Sequence, residues 1–211
     1  MKPRAVYWDM DGTLIDSEPL HEQALIAVLT SLGITPPADL HDRVIGIAAR
    51  PVYDMLREEF GLALPFDDWI LRKYVYYMEH AAKLKPRPGA VEVFRDLKAL
   101  GVAQAVVSNS DRLIVETNLR MIGIDAPGIK TVTRNDVRAG KPDPEPFLRA
   151  AYLTEIDPAE SCVIEDSQTG ATAGVAAGMR TLFWPQQPMA APAGAVHMKS
   201  LETLRAYLEL D

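Results

Sequence analysis

The chain is short of cysteine, of positive charge and of long apolar runs, and each shortage excludes a class of function. Its one cysteine, Cys162, has no partner within the chain, so no intrachain disulfide framework exists and a reducing compartment is expected. Lys and Arg number 22 against 29 Asp and Glu, and the formal net charge of −7 repels polyphosphate backbones and anionic lipid. Generic nucleic-acid or membrane-surface binding is therefore not expected. No apolar stretch approaches the ~20 residues that cross a bilayer. The opening apolar run is short and interrupted by Asp9 and Asp11, so no secretory leader is expected and the chain reads as cytoplasmic. Low-complexity tracts and solenoid repeats are missing too. What remains is 211 residues, 48 % apolar and 24 % charged, enough for two modest domains or one with a large insertion.

Short β-type runs recur at 5–8, 103–107, 129–133, 162–164 and 181–184, and after residue 88 they alternate with helical periodicity. Such alternation predicts an α/β fold with a parallel sheet flanked by helices. The stretch between the first two runs breaks the rhythm and reads as entirely helical, so an inserted helical domain is expected over 16–87, with the core formed by 1–15 and 88–211. Leu20, Ala24, Ala27, Val28 and Leu32 share one helical face, and Phe66, Ile70, Tyr74, Tyr77, Ala81 and Leu84 share another. Further helices around 39–45 and 51–60 give a bundle of about four, closed by Pro86, Pro88 and Gly89. The cluster Tyr74, Tyr76, Tyr77 and Met78 has helical spacing and is assigned to packing within the insert.

Four constellations carry chemistry. Asp9 and Asp11 follow the first strand directly, where ligands bind in open parallel sheets. Carboxylates this close repel unless a cation lies between them, and hard oxygen ligands suit magnesium. Asp9 can then act as a nucleophile toward phosphorus and Asp11 as general acid and base. Gly12 allows a tight turn and Thr13 offers a hydroxyl donor. Ser108 and Asn109, after the second strand, supply a hydroxyl and exposed amides for phosphate oxygens, while Ser110 or Asp111 suits the cap of the following helix. Lys141, between Gly140 and Pro142, would offset the carboxylates and bind a transferring phosphoryl group. Glu165 and Asp166 end the strand at 162–164; Asp166 would complete the magnesium site and Glu165 would orient ligands beside it. Each group has a plainer reading as a turn, a helix cap or, for Lys141, a solvated charge. All four fall at strand ends or in loops that follow strands, on one side of the sheet, and together they are the equipment of phosphoryl transfer.

The run at 9–18, with Ser108-Asn109, Lys141-Pro142 and Glu165-Asp166-Ser167, resembles the haloacid dehalogenase-like superfamily across nearly the whole chain. A helical insert after the first motif is similar to its C1-cap subfamily of phosphoglycolate phosphatases, β-phosphoglucomutases and sugar-phosphate phosphatases. The resemblance implies a Rossmann-like core with a mobile cap, an aspartyl-phosphate on Asp9, acid and base work by Asp11, and phosphoryl oxygens held by Ser108 and Lys141. It implies magnesium on the Asp9 carboxylate, the Asp11 backbone carbonyl and Asp166. The acidic residue at Asp11 is absent from the haloalkanoic dehalogenases, so carbon–halogen cleavage is disfavoured.

Substrate choice in that subfamily lies in the cap, where the matching loop is 46–50. Arg50 there and His21 nearer the start are candidates for contacting a small phosphorylated metabolite. The leading expectation is a magnesium-dependent phosphatase, monomeric or homodimeric. The alternatives are a β-phosphoglucomutase-like isomerase and a non-catalytic binding protein on the same fold. Hinges between the domains are expected at Asp16 and Ser17 and at 86–89.

Overall fold

In the computed structural model the described residues are all except 1, 2, 45, 46, 48, 126, 127 and 211, with the side chain of residue 42 also outside the description. The strands are β1 (Ala5–Trp8), β2 (Ile15–Asp16), β3 (Lys85–Pro86), β4 (Ala103–Val107), β5 (Lys130–Val132), β6 (Ser161–Glu165), β7 (Arg180–Phe183) and β8 (Val196–His197). The helices are α1 (Glu18–Ser31), α2 (Leu40–Val44), α3 (Ala49–Phe60), α4 (Phe66–Glu79), α5 (Ala90–Ala99), α6 (Arg112–Met121), α7 (Glu145–Thr154), α8 (Gln168–Ala176) and α9 (Leu201–Tyr207). The chain divides into two compact units, Met1–Asp16 with Lys85–Asp211, and Ser17–Leu84. The crossings fall at Asp16 and Lys85 because β2 and β3 pair antiparallel, Ile15 with Pro86 and Asp16 with Lys85, which ties both ends of the excursion to the first unit.

The first unit is built on a six-stranded sheet of order β5-β4-β1-β6-β7-β8, its neighbours all parallel. Parallel strands covered on both faces read as apolar runs, and β1 is buried at all four residues. Tyr7, Ala105, Val107 and Val163 turn toward Phe147 and Ala150 of α7 and Ala173 of α8. On the alternate positions Trp8 meets Phe94 of α5, their rings 5.9 Å apart. From β1 the order runs one way to β4 and the other way to β6, so the crevice beyond the carboxyl ends of these three strands is the topological switch point. Asp9 extends the ladder by one bond, its amide donating to the Ile164 carbonyl at 2.9 Å. The Ser108 amide does the same toward Val132 at 2.9 Å. The sheet itself therefore delivers these two residues to the crevice.

The second unit is helical. Leu25, Val28 and Leu29 of α1 pack with Leu40, Val52, Tyr53, Leu56, Leu62 and Trp69. The buried face of α1 centres on Leu25 and Leu29, with Ala27 and Leu32 at its margin, because this cluster fills from that side. On α4 the buried anchors are Trp69 and Tyr77. Trp69 and Phe66 surround the Tyr53 ring, with centroids 5.5 Å and 5.2 Å away. Tyr77 stacks on His21 at 4.5 Å and Tyr76 on His80 at 4.0 Å, so these two tyrosines pack within the unit. Among the described residues no helix is long and apolar enough to cross a membrane.

Burial should set the cost of truncation here. Leu56→Ala, at a fully buried position, is expected to destabilise the protein by about 2–5 kcal/mol in urea unfolding. Leu71→Ala, on the 58 % exposed side of α4, should stay within about 0.5 kcal/mol. Equal effects would mean that Leu56 is not part of the unit's core.

Candidate active site

Beyond the carboxyl ends of β1, β4 and β6, charged side chains meet largely out of water. Lys141 is 7 % exposed, and its Nζ donates to Asp9 Oδ1, Glu165 Oε1 and the Val107 carbonyl, each at 2.7 Å. An ammonium has three donors and no acceptor, and here all three are used. Burial opposes its charge, yet Asp9 and Glu165 and the bonds they accept outweigh that and hold its pKa above the ordinary lysine value. Lys141 is aimed by Asn109, whose Oδ1 accepts from the Lys141 amide at 2.9 Å and whose Nδ2 donates to the Lys141 carbonyl at 3.1 Å. Asn109, expected to meet substrate, thus uses both ends of its amide on the lysine's backbone.

Glu165 is wholly buried. While Oε1 takes Lys141, Oε2 accepts from the Ser167 amide at 3.1 Å and its hydroxyl at 2.9 Å. Ser167 also caps α8 by accepting from the Gly170 amide at 3.0 Å. Glycine is required at 170 by close approach: a Cβ there would stand 1.6 Å from Glu165 Oε1. Asp166 accepts from the Thr13 hydroxyl at 3.1 Å and lies against Gly12, where a Cβ would stand 2.1 Å from Asp166 Oδ2. Gly12 also has φ +83°, so its turn admits a side chain neither by conformation nor by space.

Asp9, Glu165 and Asp166 each place a carboxylate oxygen within 4.8 Å of the others. Asp9 Oδ2 is buried and has no hydrogen-bond partner. A buried charged oxygen without a donor is costly, and an ion held by hard oxygens would satisfy it, so the residues present fit a magnesium ion. Burial, then Glu165, push the Asp9 pKa well up against the pull of Lys141. Burial and Glu165 likewise raise Asp166, to about 7, opposed by the Thr13 bond, Arg87 and Lys141. Three carboxylates around one ammonium retain net negative charge, and the cluster therefore takes up a proton or a cation.

The Asp11 carboxylate lies apart from these three. Oδ2 accepts from the Ser108 hydroxyl at 3.2 Å and the Ser110 hydroxyl at 2.8 Å, and Oδ1 from Asn118 Nδ2 at 3.3 Å. The Asp11 carboxylate, distinct from the backbone carbonyl expected to meet the metal, is not part of the acidic cluster, whereas Glu165, expected to orient ligands beside it, is. Ser110 turns to Asp11, and Asp111, at the N-cap position of α6, makes no side-chain cap bond. Asn118 was not foreseen; its signal is a polar residue on the buried face that Ile114, Val115 and Leu119 form on α6. Arg87 was not foreseen either, since in the sequence it sits within Pro-rich punctuation.

Arg50 and His21 belong to the helical unit. Arg50 is exposed, pairs with Asp54 at 3.1 Å and lies over the Tyr53 and Phe66 rings. Gly46 and Ala48 of the 46–50 loop lie outside the described residues.

Residues 3–178 match the family of haloacid dehalogenase-like hydrolases. The chain is 31 % identical over 186 residues to N-acetylmuramic acid 6-phosphate phosphatase of Pseudomonas aeruginosa, covering 86 % of this chain and 81 % of that protein. It is 29 % identical over 206 residues to the phosphorylated carbohydrates phosphatase of Thermotoga maritima, covering 97 % and 90 %. The crystal structure of a HAD family hydrolase from Deinococcus radiodurans, with bound phosphate and sodium, matches at a TM-score of 0.73 and 30 % identity, covering 97 % of this chain and 94 % of that one.

The raised pKa values give a signed prediction for the metal-free protein. A carboxylate whose pKa rises on folding contributes stability below its unfolded value, near 4, and loses it as pH climbs through the folded value, about 7 for Asp166. A divalent cation competes with the proton for the same oxygens. Millimolar Mg2+ should therefore raise Tm more at about pH 8 than at about pH 5.5, by differential scanning fluorimetry after EDTA treatment. The same gain at both pH values would contradict metal binding by Asp9 and Asp166.

Proposed function

Because the chain belongs to the haloacid dehalogenase-like hydrolases, we propose that it is a magnesium-dependent phosphatase acting on a small sugar-phosphate-like monoester through an aspartyl-phosphate on Asp9. The observation that carries the reading is the Asp9 carboxylate, with one oxygen held by Lys141 and the other buried without a donor. The two phosphatases named above act, by their names, on a phosphorylated amino sugar and on phosphorylated carbohydrates, which supports the substrate class.

A magnesium ion held by Asp9 and Asp166, with Glu165 beside them, would keep Asp9 ionised and neutralise phosphoryl oxygens. The Asp9 carboxylate attacks phosphorus, forming an acyl-phosphate bond as the bond to the ester oxygen breaks. Asp11 gives its proton to that departing oxygen and then takes one from water, whose oxygen attacks the same phosphorus. Orthophosphate leaves and Asp9 is regenerated. Ser108 lies within hydrogen-bond reach of Asp11, so a phosphoryl oxygen placed there would exchange one acceptor for another. Lys141, fixed by Asn109, keeps positive charge beside the nucleophile throughout.

Asp9→Asn should abolish phosphate release in a magnesium assay over sugar phosphates, polyol phosphates, phosphoglycolate and nucleotides. Asp11→Asn should lower kcat by about 10²- to 10⁴-fold on alkyl phosphates. With p-nitrophenyl phosphate, whose leaving group needs no proton, the same variant should give a stoichiometric burst followed by slow turnover. Full activity in Asp9→Asn would refute the nucleophile. Bisphosphate-primed interconversion of hexose monophosphates, without orthophosphate release, would replace the phosphatase by a mutase.

A further inference from the structure

Arg87 is 9 % exposed, and its guanidinium is given over to backbone carbonyls. Nη1 donates to Gly12 at 3.0 Å and to Trp184 at 2.6 Å, and Nη2 to Pro185 at 3.3 Å. Its guanidinium carbon stands 3.5 Å from the centroid of the Trp184 ring. Among the described residues no carboxylate forms an ion pair with it. Burial lowers its pKa to about 10, with Asp166 acting the other way, so it stays charged near neutrality. A buried cation that is hydrogen-bonded to neutral carbonyls instead of a carboxylate is an expensive way to join two loops.

The place it joins explains the choice. Gly12 connects Asp11 to Thr13, and its α-carbon is the point at which the loop after β1 meets the Asp166 carboxylate. On the other side its carbonyl accepts both Arg87 Nη1 and Gln186 Nε2, the latter at 3.0 Å. Both lone pairs are thereby engaged by groups at or bonded to the segment that follows β7. If the Gly12 peptide tilted, the Thr13 hydroxyl and the contact with Asp166 would move with it, and the spacing between Asp9 and Asp166 would change.

We infer that Arg87 is a positioning residue, pinning the Gly12 peptide to the end of β7 and so fixing the separation of Asp9 and Asp166 that cation binding and attack on phosphorus require. Its kinetic consequence rests on the phosphatase reading; its effect on metal binding does not need turnover.

The test uses Arg87→Lys, which keeps the charge but lacks the fork that reaches three carbonyls, and Gln186→Ala, at an exposed position. For wild type and both variants, Mg2+ affinity of the substrate-free protein is measured by calorimetry. Values of kcat and KM are measured below each variant's Tm. Arg87→Lys should weaken Mg2+ binding about 10-fold and lower kcat about 10- to 100-fold, with KM within about 3-fold. Gln186→Ala should shift Mg2+ affinity and kcat the same way, by about 3-fold. A folded Arg87→Lys protein with lowered Tm but wild-type Mg2+ affinity and kcat would overturn the inference, reducing Arg87 to a structural staple. Should that variant fail to fold, unchanged affinity and kcat in Gln186→Ala overturn it instead. If the wild type releases no phosphate while the Mg2+ affinities shift as stated, the phosphatase reading fails and the positioning role stands.

Discussion

A buried lysine among buried carboxylates is the constraint on which the rest of the site depends. Lys141 has no water to solvate it, so its three donors must find acceptors, and they find Asp9, Glu165 and the end of β4. Those bonds tie together the carboxyl ends of three adjacent strands. The arrangement is left short of positive charge, because Asp166 adds a further carboxylate. Neither a neutral core nor a closed ion pair, the cluster is left to take up a proton or a cation, and Asp9 Oδ2, buried without a donor, is an oxygen that either would satisfy.

Much of the surrounding structure keeps these charges from relaxing. Asn109 grips the lysine's backbone, Ser167 holds Glu165 while capping α8, and the absence of side chains at Gly12 and Gly170 lets two carboxylates press against main chain. Arg87 completes the restraint from behind the loop. Asp11 is treated differently. Its carboxylate faces two hydroxyls and an amide nitrogen and accepts a hydrogen bond from each. Two aspartates two residues apart thus acquire separate surroundings through the direction in which each side chain leaves the loop.

The sheet was legible because buried parallel strands give continuous apolar runs: β1 and β4 begin and end where the pattern does, and the edges of β5 and β7 move by a single residue. Strands of two residues carry no period, so β2, β3 and β8 left no trace in the sequence. The helical unit was legible as helices but less so as faces, since Trp69 lies between the positions that the periodicity selected and is nevertheless its aromatic centre. Residues Asp9, Asp11, Ser108 and Glu165 could be singled out as candidates because they end or directly follow strands, and Lys141 because its loop follows one. What those side chains bond to was not readable. Asn109's attention to Lys141 depends on how the segment around Gly140 folds beside it, and Arg87 gains meaning only when Trp184, distant in sequence, is beneath it.

The proposed chemistry requires the Asp9 carboxylate to be the nucleophile that carries the phosphoryl group. The most direct measurement is acid quenching of the magnesium-loaded enzyme during turnover of a substrate it hydrolyses, followed by peptide mass spectrometry. The predicted result is the mass of one phosphoryl group on the peptide containing Asp9, lost on hydroxylamine treatment as an acyl phosphate would be. Rapid turnover with that peptide unmodified at every quench time, and the modification found on another residue, would contradict it.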